Sequence, residues 1–261
     1  MVSTIRNTDV KQKDADRAVV VAVTSRALFK CGADDGGEVY GEGVAFPLLQ
    51  ALQRVNERLL EENPAESLLF DVILITTNSQ QQQQSSRIIS STRHYGLEVG
   101  RFCFSSEEDF IKSLLKNNVQ LFLSTDRNEA QRASQKGVLS ALLDQQTAFC
   151  PSEQLRVMFC GDAVIRPDTG PMPASRQAAQ SFSAQLGKMR GRFSMLESPL
   201  SIVLVTSRGG RESCGGALRA LRSRGLSVDE AYSLAGAPRG PILSVLRPHF
   251  LLSDGFSSLE E

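Results

Sequence analysis

Two tetrapeptides in this chain carry residue types that can hold a phosphate. Val23-Thr24-Ser25-Arg26 closes one apolar run, and Val205-Thr206-Ser207-Arg208 closes another. Hydroxyls and a guanidinium at a strand end, facing helix N-termini, make a phosphate cradle: the hydroxyls and amides donate, and Arg adds a two-pronged cation. Thr24, Ser25 and Thr206 also suit plainer duties, as strand ends or helix caps. Cys160 and Arg166 have the C-x5-R spacing by which cysteine phosphatases place a thiolate and a clamping Arg on one loop. The loop here lacks the usual glycines, and an inert buried thiol is the commoner state of a cysteine. His94 and His249 are the only histidines. A His-based zinc site or a His general base is therefore poorly supported, and both read as structural.

Such groups need a scaffold. Short β-branched runs recur at Val19–Val23, Phe70–Thr76, Leu97–Phe104, Val119–Leu123, Leu155–Cys160, Ser201–Thr206, Glu230–Leu234 and His249–Leu252. Helical patterns lie between them, at Phe46–Leu60, Glu107–Leu115, Asn128–Leu143 and Gly215–Arg224. Continuous apolar strands alternating with helices predict an α/β fold, Rossmann-like, with a mostly parallel sheet covered on both faces. Ligands in such folds sit beyond the carboxyl ends of the strands. Arg166–Ser175 and the glutamine-rich Ser79–Ser86 read as loops. The expected organisation is a flexible tail over 1–18, an α/β half over 19–150 that shapes a substrate pocket, and a half over 151–261 bearing the chemistry. The two halves can equally form one continuous domain.

Composition narrows the function classes. The chain has 261 residues and zero formal net charge, from 29 basic and 29 acidic residues. That balance argues against a general nucleic-acid or membrane-surface binder, which needs a basic excess. The N-terminal stretch lacks the apolar core of a secretory signal, and no apolar run approaches the ~20 residues of a membrane span. Five widely spaced cysteines without a CxxC pair fit a reduced, cytoplasmic compartment.

Several segments, in order, resemble the cytosolic 5'-nucleotidase type I family, a branch of the haloacid-dehalogenase-like phosphohydrolases. They include Thr24-Ser25-Arg26-Ala27-Leu28-Phe29, Phe70-Asp71-Val72-Ile73-Leu74-Ile75-Thr76, Phe159-Cys160-Gly161-Asp162-Ala163-Val164, Leu204-Val205-Thr206, Gly236-Ala237-Pro238-Arg239-Gly240-Pro241 and Arg247-Pro248-His249-Phe250. The resemblance implies a haloacid-dehalogenase-like fold and Mg²⁺-dependent hydrolysis of nucleoside 5'-monophosphates such as AMP. In the family's FDGDAV motif the first Asp is the nucleophile, and the second, two residues on, is the general acid/base. A carboxylate attacks phosphorus, a second carboxyl protonates the leaving oxygen, and Mg²⁺ neutralises the phosphoryl oxygens.

This chain departs from that pattern at several points. Cys160 occupies the nucleophile position, while Asp162 keeps the acid/base position. Thr206 matches the second-motif hydroxyl, and Arg239 replaces the lysine of GAPKGP. Against the family's FFDDQ stands Leu251-Leu252-Ser253-Asp254-Gly255, leaving Asp162 and Asp254 as the metal-site carboxylates. Thr24, Ser25, Arg26, Asn78, Ser207 and Arg208 are the candidate substrate-binding residues; Asp126 reads better as a cap than as a ligand. Mg²⁺ prefers hard oxygen ligands and a thiol is soft, so a weak or lost Mg²⁺ site is expected. The leading expectation is a protein that binds nucleotide or phosphate with little hydrolysis and has a regulatory role. An active Mg²⁺-dependent 5'-nucleotidase and an interaction scaffold with a vestigial pocket are the alternatives. The expected partner is a nucleoside monophosphate or phosphate, with no nucleic acid or membrane. A homo-oligomer or a protein partner stays open.

Overall fold

The structure is a computed structural model that describes residues 3–30, 38–77, 85–164, 174–194, 197–207 and 211–252. Its first half runs β1 (Ser3–Arg6), β2 (Val19–Thr24), α1 (Ser25–Leu28), β3 (Phe29–Lys30), β4 (Gly41–Glu42), α2 (Phe46–Glu62) and β5 (Phe70–Thr76). It continues with α3 (Ser85–His94), β6 (Val99–Phe104), α4 (Phe110–Lys116), β7 (Leu121–Ser124), α5 (Arg127–Gln135) and β8 (Leu139–Leu142). After a 3-10 turn at Gln145–Phe149 come β9 (Leu155–Cys160), α6 (Gly161–Val164), α7 (Ala174–Arg190) and β10 (Leu200–Thr206). The last described elements are α8 (Arg211–Ser223), β11 (Glu230–Ser233), α9 (Gly240–Leu246) and β12 (Phe250–Leu252).

Every residue of β2, β5 and β10 is buried, which follows from their runs of apolar and small hydroxyl side chains, broken only by Asp71, whose carboxylate is paired with Arg101 at 2.6 Å. Strands of that kind need cover on both faces, and helices supply it. The fold is accordingly α/β, with parallel sheets flanked by helices. The first sheet has the order β1-β6-β5-β2-β7-β8, all parallel except the antiparallel edge β1. The chain enters at β2, winds outward to β6, then returns to β7 on the other side. The reversal leaves a crevice between the carboxyl ends of β2 and β7. A second sheet, β11-β10-β9-β12, is wholly parallel and reverses between β9 and β12.

The two sheets share a core. Helix α2 buries Leu48, Leu52, Val55 and Leu59 along one face, at the three-and-four spacing of an amphipathic helix, and packs against both β5 and β9. One apolar cluster joins Val21 and Leu123 of the first sheet to Val157 and Leu204 of the second. Asn56 of the same helix is buried and spans the backbone of Phe70, donating to its carbonyl and accepting from its N–H, both at 2.8 Å.

The structure differs from the sequence expectations in four places. Ser3–Arg6, expected in a flexible tail, pairs with β6 as an exposed edge strand. The helix expected over Asn128–Leu143 stops at Gln135. Gly137 takes φ 85°, and the Gly137 and Val138 N–H groups cap the carbonyls of Ser134 and Ala133. The chain then turns into β8, which lies within the span expected to be helical. Helices α3 and α7 are not among the helical patterns of the sequence. The loop readings of Ser79–Ser86 and Arg166–Ser175 fail at their ends, since Ser85 and Ser86 open α3 and Ala174 and Ser175 open α7; the rest of both segments lies outside the described residues.

Candidate functional site

The second sheet gathers one group of the expected residues. Cys160 is the last residue of the central strand β9, beside Val205 of β10, and is 6% exposed. Its side chain lies on the sheet face that also carries Met158, Val203 and Val205, under Leu243 and Leu246 of α9. The loop leading into α9 brings Arg239 to the same place. This loop is tied to the end of β10 by Leu234 N–H to Thr206 O at 2.9 Å and Gly236 N–H to Ser207 O at 2.8 Å. Two consecutive left-handed residues, Ala235 and Gly236, turn it back. The Arg239 guanidinium donates to Ser207 Oγ from Nη2 at 2.8 Å and from Nε at 3.2 Å, and to Cys160 Sγ from Nη2 at 3.6 Å.

Ser207, Arg239 and Cys160 are therefore in direct contact. Thr206, expected to present the second-motif hydroxyl, is turned elsewhere: it is fully buried and donates to the Tyr232 carbonyl at 3.4 Å. Its methyl group occupies the space beside Gly161, where an added Cβ would lie 2.3 Å from Thr206 Cγ2. Any side chain at 161 collides there, so the residue after Cys160 has to be glycine. The hydroxyl that reaches Arg239 belongs to the next residue, Ser207. Asp162 lies in α6, directly beyond Cys160. The Asp162 side chain, together with Asn78, Arg208, Ser253 and Asp254, lies outside the described residues, as does the Arg166 of the C-x5-R pattern.

The described groups here, a guanidinium, a hydroxyl and a thiol, suit an oxyanion. They do not suit Mg²⁺, which takes hard oxygens and is repelled by a guanidinium. No cluster of three or more His, Cys, Asp or Glu residues able to hold a metal occurs among the described residues.

The first sheet gathers the other group. Thr24 ends β2, and Ser25 and Arg26 follow it, at the crevice beside β7. Arg26 contacts Glu129 directly and lies 3.5 Å from Asp126. Burial opposes its charge, but the Glu129 contact and the fields of Glu129, Asp126 and Glu107 outweigh that and hold its pKa above the ordinary value. Asp126 caps α5 as expected, accepting from the N–H groups of Asn128 at 2.8 Å and Glu129 at 3.3 Å. Thr24 makes no capping bond to α1, and its hydroxyl is buried without a partner.

Sequence reasoning missed Glu129. The pair Asp126 and Glu129 has the D-x-x-E spacing of a capping box, in which the Glu would reach back to the Asp126 N–H. Ser124 Oγ accepts that N–H instead, at 3.0 Å. Glu129 turns inward and accepts from Ser124 Oγ at 2.7 Å and Thr77 Oγ1 at 2.9 Å. The spacing was visible in the sequence; the inward turn was not.

Elsewhere, His249 is buried at the entry to β12, where its Nδ1 accepts the Arg156 N–H at 3.0 Å. Burial lowers its pKa to about 4, against the favourable backbone contacts of Pro151 and Arg156. Cys150 donates to the Pro248 carbonyl at 3.3 Å, and burial, with Asp144 nearby, pushes its thiol up to about 12. No disulfide joins Cys103, Cys150, Cys160 and Cys214 to one another. Among the described residues, no helix is long and apolar enough to cross a membrane.

Two mainly parallel sheets carry, at their strand ends, hydroxyl and guanidinium groups of the types that bind phosphate, on an α/β scaffold. Family comparison agrees. The 5'-nucleotidase family model matches residues 33–183 and 167–261. Human cytosolic 5'-nucleotidase 1B is 33% identical over 288 residues, covering 93% of this chain and 47% of the relative. This chain belongs to the 5'-nucleotidase family. It spans about half the length of the curated relative it matches. No solved structure matches it.

Proposed function

We propose that this chain binds a nucleoside monophosphate or inorganic phosphate at the carboxyl ends of β9 and β10, with little or no phosphohydrolase activity, and acts in a regulatory role. The observation behind this reading is the contact of Arg239 with both Cys160 and Ser207. A guanidinium and a hydroxyl can receive phosphate oxygens in a forked geometry. The family resemblance puts the attacking carboxylate where Cys160 stands. Loss of a covalent nucleophile in other hydrolases costs on the order of 10⁴–10⁶ in kcat while binding survives. The proposed pocket includes Asp162 and Asp254, with residues 19–150 as the half that shapes it and 151–261 as the half that carries the motifs. The name of the human relative supports a cytoplasmic setting.

Calorimetric titration of the purified protein with AMP, IMP and inorganic phosphate, with and without Mg²⁺, tests the binding. Phosphate release from AMP tests turnover. The expected result is binding that needs little Mg²⁺ and negligible release. Rapid Mg²⁺-dependent release would establish the second reading, an active 5'-nucleotidase working through Asp162, which the relative's name favours. Absence of any binding would leave a scaffold with a vestigial pocket.

A further inference from the structure

The crevice at the reversal point of the first sheet is where an open α/β sheet receives its ligand, and here it holds a side chain of the protein itself. Glu129 is 3% exposed. Its carboxylate takes hydroxyl donors from the ends of two strands, Ser124 of β7 and Thr77 just past β5, and the guanidinium of Arg26 from beyond β2. Three strands thus converge their donors on one anion. Strand alternation puts a third hydroxyl on the same face. Ala22, Ile75 and Phe122 pack in one cluster on that face, and Thr24, Thr77 and Ser124 each follow one of them by two residues. Thr24 is 1% exposed, and its Oγ1 has no hydrogen-bond partner. A buried hydroxyl without a partner is costly unless something else uses it.

Glu129 is not needed to cap its helix. Asp126 caps α5, and Ser124 serves the N–H that a capping-box glutamate would take. The carboxylate is held by the crevice, which presents hydroxyls, a guanidinium and the N-terminal end of a nine-residue helix. That donor set matches a phosphate group, which has more acceptor oxygens than a carboxylate and can also satisfy Thr24.

We propose that this crevice is a second oxyanion site, for inorganic phosphate or the phosphate of a monoester, with Glu129 as an internal competitor that the ligand must displace. Because Glu129 sits in the first turn of α5, occupancy is communicated to that helix. The site belongs to the other sheet from Cys160, and the proposal stands without the function proposed above.

The test uses full-length protein in an Arg239→Ala background, so that phosphate binding beside Cys160 is weakened equally in every protein compared. Calorimetry with inorganic phosphate should show at least tenfold tighter binding when Glu129→Ala is added. Adding Arg26→Ala as well should abolish the gain. AMP in place of phosphate distinguishes a monoester from the free ion. A folded Glu129→Ala protein with no gain, or a gain that survives loss of Arg26, overturns the proposal. If Glu129→Ala does not fold, Glu129→Gln keeps the shape and removes the charge. Phosphate should then raise its melting temperature more than that of the Arg239→Ala parent, and an equal or smaller rise overturns the proposal.

Discussion

His249 gives the structure a quantitative pH signature. In an unfolded chain its imidazole titrates near 6.5; folded, burial lowers the value to about 4. Between these values the unfolded state binds the extra proton, so stability rises with pH through this window and is lost as pH falls from about 6.5 toward 4. The full span of about 2.5 units corresponds to about 3 kcal/mol, of which about 2 kcal/mol falls between pH 7 and pH 5. Replacing His249 by Asn removes the titration while leaving an oxygen able to accept the Arg156 N–H that Nδ1 accepts at 3.0 Å. Urea unfolding of both proteins at pH 7 and pH 5 isolates the effect from all other carboxylates and histidines. The parent should lose about 2 kcal/mol more than His249→Asn on acidification. Equal losses in the two proteins would refute the reasoning, because they would mean that His249 is solvated or already charged in the fold. The location adds a functional consequence: His249 joins β9 to the entry of β12, so acid should loosen the strand that leads toward Asp254.

Gly161→Ala should destabilise the fold by about 1–3 kcal/mol through overpacking against Thr206. Thr206→Ser, which deletes the offending methyl, should recover part of that in the double variant, as read by thermal denaturation. Arg239→Ala should weaken phosphate or AMP binding beside Cys160 by about tenfold or more, the scale of a charge-assisted hydrogen bond, as measured by calorimetry. Arg239→Lys should restore only part, since an ammonium cannot span Ser207 and Cys160 as a fork does. Combining Cys160→Asp, Ser253→Asp and Arg239→Lys should raise phosphate release from AMP well above the parent, with each single change doing little, because such groups act as a unit. A folded triple variant that binds AMP and releases nothing would place the defect outside these three side chains.

The long strands were legible because burial on both faces leaves a largely apolar run, interrupted only by Asp71 in one and Arg156 in the other: Phe70–Thr76 and Leu155–Cys160 form with the boundaries read from the sequence. The edge strand Ser3–Arg6 was not, since all four of its residues are exposed and leave no apolar pattern. Strand β8 was hidden because Val138 and Leu139 extend the apolar periodicity of α5, and the break at Gly137 depends on the capping geometry. The paired Thr-Ser-Arg segments pointed to phosphate chemistry at two strand ends, and that much is local information. Their different surroundings are not local. Thr206 is locked by Gly161 and the Tyr232 carbonyl, whereas Thr24 is left unpartnered beside a crevice already holding Glu129.

Sequence alone determined the parallel α/β architecture and the family, because periodicity and motif order are written along the chain. The tertiary structure decided which groups meet. Arg239 reaches Cys160 across 79 positions, and Glu129 meets an Arg26 that lies about a hundred residues before it. Such contacts depend on how a loop is pinned to a strand end and on which way one side chain in a first helical turn faces. Packing sets both, and no local pattern encodes them.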